Sequence, residues 1–188
     1  MQTPGGGKSA FESLFEFVAT GDDTPYLCIP AAINFRNEVC GGDDRIHTYL
    51  HTLANEAADI VAAALGTEVM QEPGIKHWQD SLVRRCGMTT VRLPIPIQDG
   101  WENVPEPGKK SLCPPLPAEE VAGVCRWMQD SMMDSYETFV PVFPHGGWLW
   151  IRLSAQVYLQ KSDFEWAAGV LRRLVEYIAR KRRIEARL

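Results

Sequence analysis

The chain has 188 residues, 45% of them apolar and 10% aromatic, with a net charge of −5; this composition belongs to a globular chain with one good core, or one domain with pieces of a second. No run approaches the ~18 to 20 consecutive apolar residues of a membrane helix, and no basic segment followed by an apolar one opens the chain. Neither a span nor a secretory leader is expected, no membrane partner is implied, and the cytosol is the default compartment.

Charge is unevenly spread: residues 172–188 hold seven basic and two acidic side chains, +5, against −10 for the rest. That tail reads as the solvated last turns of a helix complementing its dipole rather than as a nucleic-acid patch. Cys28, Cys40, Cys86, Cys113 and Cys125 are odd in number and nowhere in Cys-x-x-Cys spacing, so reduced thiols are expected, with no disulfide framework and no zinc site.

In chain order, Pro4 to Ser9 imitates the end of a phosphate-binding loop, but the first glycine of that motif would fall on Gln2 and no strand precedes it. Pro30 suits the first turn of a short helix ending near Cys40 at Gly41-Gly42. A longer helix is predicted from about Asp43 to Leu65, because Ile46, Tyr49, Leu50, Leu53, Ala57, Ile60, Val61 and Ala64 recur at three- and four-residue spacing. His47 and His51 sit one turn apart on it, without an acidic or cysteine third ligand in register, and read as helix-surface histidines.

Short β-like runs follow at Thr67–Met70 and Met88–Leu93, and the seven prolines of residues 94–117 predict an irregular crossing. A helix is expected from Pro117 to about Met133, with Val121, Val124, Cys125, Met128 and Met132 on one face. Strands are expected at Thr138–Phe143, an edge because Pro141 cannot donate to a ladder, and at Trp148–Ala155. Ser162-Asp163-Phe164-Glu165 reads as a capping box, opening a helix whose stripe is Ala167, Val170, Leu171, Leu174, Val175 and Ile178. The order from residue 67 is β-β-α-β-β-α, an α+β domain with helices on one face of a small sheet.

Arg152 interrupts the apolar strand 148–155. Alternation places Trp148, Trp150, Arg152 and Ser154 on one face and Leu149, Ile151, Leu153 and Ala155 on the other. A guanidinium beside two indoles needs an anionic partner, since an uncompensated buried charge costs roughly 3 to 5 kcal/mol. That partner is an internal carboxylate, or the guanidinium snorkels to an edge, or a ligand carboxylate is gripped by the planar fork.

The run Trp-Leu-Trp-Ile-Arg-Leu-Ser-Ala-Gln-Val-Tyr-Leu at 148–159, followed by Ser-Asp-Phe-Glu-Trp-Ala, resembles the C-terminal domain of class V aminotransferase-fold enzymes that use pyridoxal 5′-phosphate. It is most similar to the fungal branch related to isopenicillin N epimerase, hercynylcysteine sulfoxide lyase and the cysteine desulfurases. The resemblance implies that Arg152 binds the α-carboxylate of an amino-acid substrate. A second stretch, Phe15 to Pro25, resembles the family's Gly-Thr-x-Asp-x-Ser-Pro segment and assigns Thr20 to the cofactor phosphate of a neighbouring subunit, hence a homodimer in the full-length form. A third, Pro25 to Ala32 with Phe35-Arg36, resembles the lead into the helix that joins the family's two domains. The resemblance covers about residues 11 to 180.

It implies residues 1–29 as a remnant arm of a large cofactor domain, 30–66 as linking helices, and 67–188 as the small C-terminal domain of a fold-type I enzyme. None of Lys8, Lys76, Lys109, Lys110, Lys161 and Lys181 lies in a segment resembling the family's Schiff-base lysine motif. The chain thus reads as the substrate-binding part of a lyase, desulfurase or epimerase, inactive alone and with weak or no pyridoxal phosphate binding. The alternative is a non-catalytic module pairing with a full-length relative.

Overall fold

The computed structural model describes residues 9, 11, 21–75, 77, 80–98 and 111–185. The chain divides into two compact units, Met1–Asp43 and Asp44–Leu188.

In the first unit, α1 (Thr24–Leu27) and α2 (Ile29–Asn34) run into a π-helical turn, Phe35–Val39. Pro25 and Pro30 each sit in a first helical turn, where a missing N–H costs nothing. The turn closes with Gly42 N–H donating to Arg36 O at 2.9 Å, and Gly42 takes φ 90°, a conformation that suits glycine. Nε of Arg36 donates to Asp43 Oδ1 at 2.8 Å.

All of α3 (Asp43–Leu65) but its first residue lies in the second unit, and the helix buries Ile46, Leu53, Ala54, Ala57, Ala58, Val61, Ala62 and Leu65. The observed stripe keeps four of the expected positions and half-buries Leu50 and Ile60, while Ala64 is exposed and Leu65 takes the last core position. Gly66, at φ 64°, ends the helix, and Thr67 N–H returns to Ala62 O at 2.9 Å.

Three antiparallel strands form the sheet in the order β1-β3-β2: β1 is Met88–Pro96, β2 Val142–His145 and β3 Trp148–Ser154. Gly146 and Gly147, at φ 54° and 76°, make the two-residue hairpin between β2 and β3. The expected strand at Thr67–Met70 is instead one bridge, Val69 to Val91, because Gly66 turns the chain just before it and Gly74, at φ 82°, lies just beyond. The observed order is therefore α-β-α-β-β-α.

β1 outruns its expected end at Leu93 and takes in Pro94 and Pro96. Arg92 N–H points to the outer edge, donating to Glu68 O at 3.0 Å, so the prolines two and four residues on lack their N–H on that same edge. Only their carbonyls are used there, by the N–H of Leu112 at 3.0 Å and of Leu116 at 2.8 Å. β2 begins at Val142 rather than Thr138 and is an edge strand as expected; its outer Val142 N–H is taken by Gln129 Oε1 at 3.0 Å.

α4 (Ala118–Tyr136) packs on β2, and α5 (Lys161–Glu185) packs on β1 and on α4. Val121, Cys125, Met128 and Met132 of α4 and Phe164, Val170, Leu171, Leu174, Val175 and Ile178 of α5 join Leu149, Ile151 and Leu153 in one core with α3. Burial pushes the Cys125 thiol up to about 11, which leaves it an inert core group. The α5 cap lies two residues earlier than expected: Asp163, not Glu165, reaches back, its Oδ2 accepting Gln160 N–H at 2.8 Å.

The connection from α3 to β1 is tied by two side chains. Arg84 donates through Nη1 and Nη2 to Asp59 Oδ1, both at 3.1 Å. Glu72 accepts from the Ser81 hydroxyl at 2.6 Å and from Leu82 and Val83 N–H at 2.6 and 2.8 Å. These donors, Ser81 foremost, bring the Glu72 carboxyl down to about 2. Because the folded value is depressed, the clasp is fully present above the ordinary carboxyl range and is lost as pH falls from about 4.5 toward 2. Amide exchange at Leu82 and Val83, referenced to a Glu72→Gln variant, should show protection disappearing across that window. Protection unchanged down to pH 2 would remove Glu72 as its source.

Candidate functional site

β3 is covered on both faces only over its first half. Trp148 and Trp150 are buried on one side and Leu149, Ile151 and Leu153 on the other, whereas Arg152 is exposed and Ser154 half-buried. The β1–β3 register explains the change: Trp150 faces Arg92, but Arg152 and Ser154 face Thr90 and Met88, at the open end of β1.

The arginine held against an indole is thus Arg92, not Arg152. Arg92 is 2% exposed, its guanidinium carbon lies 4.1 Å from the Trp148 ring centroid, and its Nε is 3.3 Å from Glu68 Oε1. Burial lowers its pKa and the Glu68 carboxylate opposes that shift. Strand alternation was right to put a guanidinium on the indole face, but antiparallel register supplies it from the neighbouring strand. No pattern within either strand encodes that register.

Arg152 is fixed through its backbone, its N–H donating to Pro141 O at 3.2 Å. Among the described residues no ion pair or hydrogen bond engages its guanidinium, so the internal carboxylate partner is not found there. The guanidinium instead borders a cleft of about 520 Å³. One wall is the segment 137–141, which begins where Glu137 adopts φ 50° as the left-handed cap of α4. Ser154, Gln156 and Tyr158 follow from the end of β3, and Asp163 and Trp166 come from the first turns of α5. Among the described residues no carboxylate pairs with this planar cation, and a guanidinium so placed can take an anion by two parallel N–H···O bonds.

No family model matches the sequence. The chain is 43% identical over 180 residues to the L-cysteine desulfhydrase-like protein lolT2 of Epichloe uncinata, covering 95% of this chain and 38% of that relative. It is likewise 43% identical over 172 residues to lolT1 of the same organism, with 90% and 37% covered. A match at 25% identity over 147 residues to the hercynylcysteine sulfoxide lyase of Schizosaccharomyces pombe covers 78% of this chain and 28% of the relative. These relatives support a pyridoxal-phosphate-dependent, cysteine desulfurase-like family for this chain. The family is the one the Arg152 stretch resembles, and the chain spans 38% or less of the length of these family members.

The relatives imply pyridoxal phosphate in that family, but the described residues of this chain do not fit it. A Schiff-base site needs a lysine amine in the cleft that receives the substrate. Lys161 and Lys181 are exposed on α5 and neither lines the Arg152 cleft. Lys8, Lys76, Lys109 and Lys110 lie outside the described residues, as does Thr20. His47 and His51 stack with ring centroids 6.2 Å apart on α3, and among the described residues no three metal-ligating side chains gather.

Proposed function

We propose that this chain is the substrate-carboxylate-binding part, the small C-terminal domain, of a pyridoxal-phosphate-dependent enzyme that cleaves a carbon–sulfur bond in an amino acid. Arg152 holds the substrate by its α-carboxylate, and the Schiff-base chemistry belongs to residues outside this chain. The observation that carries the reading is the exposed Arg152 guanidinium, unpaired among the described residues and bordering the 137–141 cleft. The two desulfhydrase-like relatives and the sulfoxide lyase, all named for sulfur chemistry, support the reaction class.

The chemistry of this part is recognition. A carboxylate against a guanidinium gains charge-assisted hydrogen bonds worth about 1.5 to 3 kcal/mol each at a sheltered site, and the planar fork fixes its orientation as an ammonium would not. The test is a titration of the chain with N-acetyl-L-alanine, followed at the arginine Nε–Hε resonances, beside thermal melting. Arg152→Ala should abolish the saturable shift, Arg152→Lys should weaken it about tenfold or more, and both should melt like the parent protein. A shift that survives in Arg152→Ala, or a variant that melts early, would show a structural arginine instead.

A further inference from the structure

The chain has four histidines, and α3 holds two of them, His47 and His51. One helical turn rises about 5.4 Å, so residues four apart lie one above the other on a single face. The two rings are stacked, with centroids 6.2 Å apart and planes 6° from parallel. His47 is exposed and His51 half-buried. Among the described residues no hydrogen bond or ion pair engages a ring nitrogen of either one. Two adjacent imidazoles with uncommitted nitrogens are a donor set without an internal acceptor.

The backbone under the pair is held. His51 O accepts from Asn55 Nδ2 at 2.8 Å, and the same amide nitrogen reaches Arg84 O at 3.0 Å, which ties this turn to the chain before β1. Ile46, Leu53 and Ala54 are buried around it. Leu50, between the two histidines, packs on Gly87, where a Cβ would meet Leu50 Cβ at 3.4 Å. The helix is therefore fixed, and only the side-chain torsions of the rings remain to adjust. Two imidazoles sharing one ion through metal–nitrogen bonds of about 2.0 to 2.1 Å place their ring centres about 5 Å apart. From 6.2 Å the pair has to close by roughly 1 Å, a small torsional change for an exposed ring. Charge does not oppose a cation there. Asp44, exposed, lies three residues before His47 on the same side of the helix, and the Arg84 guanidinium, beside Asn55, is neutralised by Asp59 at 3.1 Å.

We propose that His47 and His51 form a chelating site for a divalent transition-metal ion of the imidazole-preferring class, Ni²⁺, Cu²⁺ or Zn²⁺, with water in the remaining positions. Imidazole nitrogen suits these ions, whereas Mg²⁺ and Ca²⁺ demand oxygen ligands. Among the described residues no third protein ligand gathers with the pair, so the site is open rather than a closed structural centre. Affinity comes from the pair and not from either ring: once one nitrogen holds the ion, the second meets it at high effective concentration. The site does not rest on the carboxylate reading of Arg152, whose cleft neither histidine lines.

The experiment titrates the intact, isotope-labelled chain with Ni²⁺ and follows paramagnetic broadening of its backbone amide resonances. Broadening should begin in α3 around His47 and His51 and saturate at one ion per chain. His47→Asn and His51→Asn should each weaken binding about tenfold or more, since either leaves a single imidazole. His77→Asn and His145→Asn should leave it unchanged, and a large excess of Mg²⁺ should not displace the ion. His47→Asn replaces an exposed ring, so it reads the site even if His51→Asn disturbs packing. Broadening centred on Cys28, Cys40 or the other histidines, and indifferent to both α3 substitutions, would overturn the site. Binding lost in one α3 variant and intact in the other would overturn the chelate, because a lone imidazole would then hold the ion. Displacement by Mg²⁺ would overturn the assignment to this class of metal.

Discussion

Incubated with pyridoxal 5′-phosphate and then reduced with borohydride, this chain is expected to carry no stoichiometric label on any single lysine and to release no sulfide from L-cysteine. A lysine forms a Schiff base through its neutral amine. With an ordinary pKa near 10.4, only roughly 0.1% of a solvated side chain is neutral at pH 7.5. Catalytic lysines overcome this by desolvation or a neighbouring cation. Lys161 is exposed in the first turn of α5 and Lys181 is exposed near the other end of that helix, away from the Arg152 cleft, so neither is desolvated by burial. Any labelling should be slow, partial and spread over several lysines. Peptide mapping after reduction reads this directly. Full occupancy of one lysine, lost with its replacement, would mean that the chain holds its own cofactor site.

The helical half of the fold was legible because burial on one side of a helix repeats every 3.6 residues and needs no knowledge of what lies opposite. Val121, Cys125, Met128 and Met132, or Val170, Leu171, Leu174 and Val175, mark their faces by spacing alone, and all eight are buried. Strand limits were less legible, because they depend on partners. Pro94 and Pro96 look like breakers until the outer edge of β1 is seen to use only their carbonyls, and Thr67–Met70 looks like a strand until the glycines at 66 and 74 are seen to turn the chain away.

The same dependence on partners governed the site. Alternation along β3 gave the faces correctly, but burial of Arg152 does not follow from alternation, since the cover over that face ends one pair earlier, at Arg92–Trp150. The role proposed for Arg152 comes from resemblance to a family rather than from its own surroundings. The aromatic lining of the Arg152 cleft was not anticipated, because Phe139, Tyr158 and Trp166 are 19 and 8 residues apart in successive steps and carry no common period. Only the turn at Glu137 and the return of the chain into α5 bring them to one cleft.

Arg92 is where the fold should be most sensitive to loss of a single charge. Arg92→Ala removes a side chain 2% exposed, leaving a void over the Trp148 ring and Glu68 without the guanidinium at 3.3 Å. Breaking a buried pair from one side costs roughly 3 to 5 kcal/mol. The lower end applies here, because the Glu68 side chain is 42% exposed and water can take over part of its solvation. For a chain of this size about 3 kcal/mol corresponds to a fall in melting temperature of roughly 6 to 12 °C. Arg92→Met should lose much less, since the thioether chain refills the space against the indole and the carboxylate left behind reaches solvent. Glu68→Gln should fall between the two, because the guanidinium keeps its indole face but loses its counter-charge. Melting curves of the three variants beside Arg152→Ala separate the two arginines. If Arg92→Ala melts with the parent protein while Arg152→Ala does not, the two strands are not in the register that pairs Arg92 with Trp150, and the buried arginine is the other one.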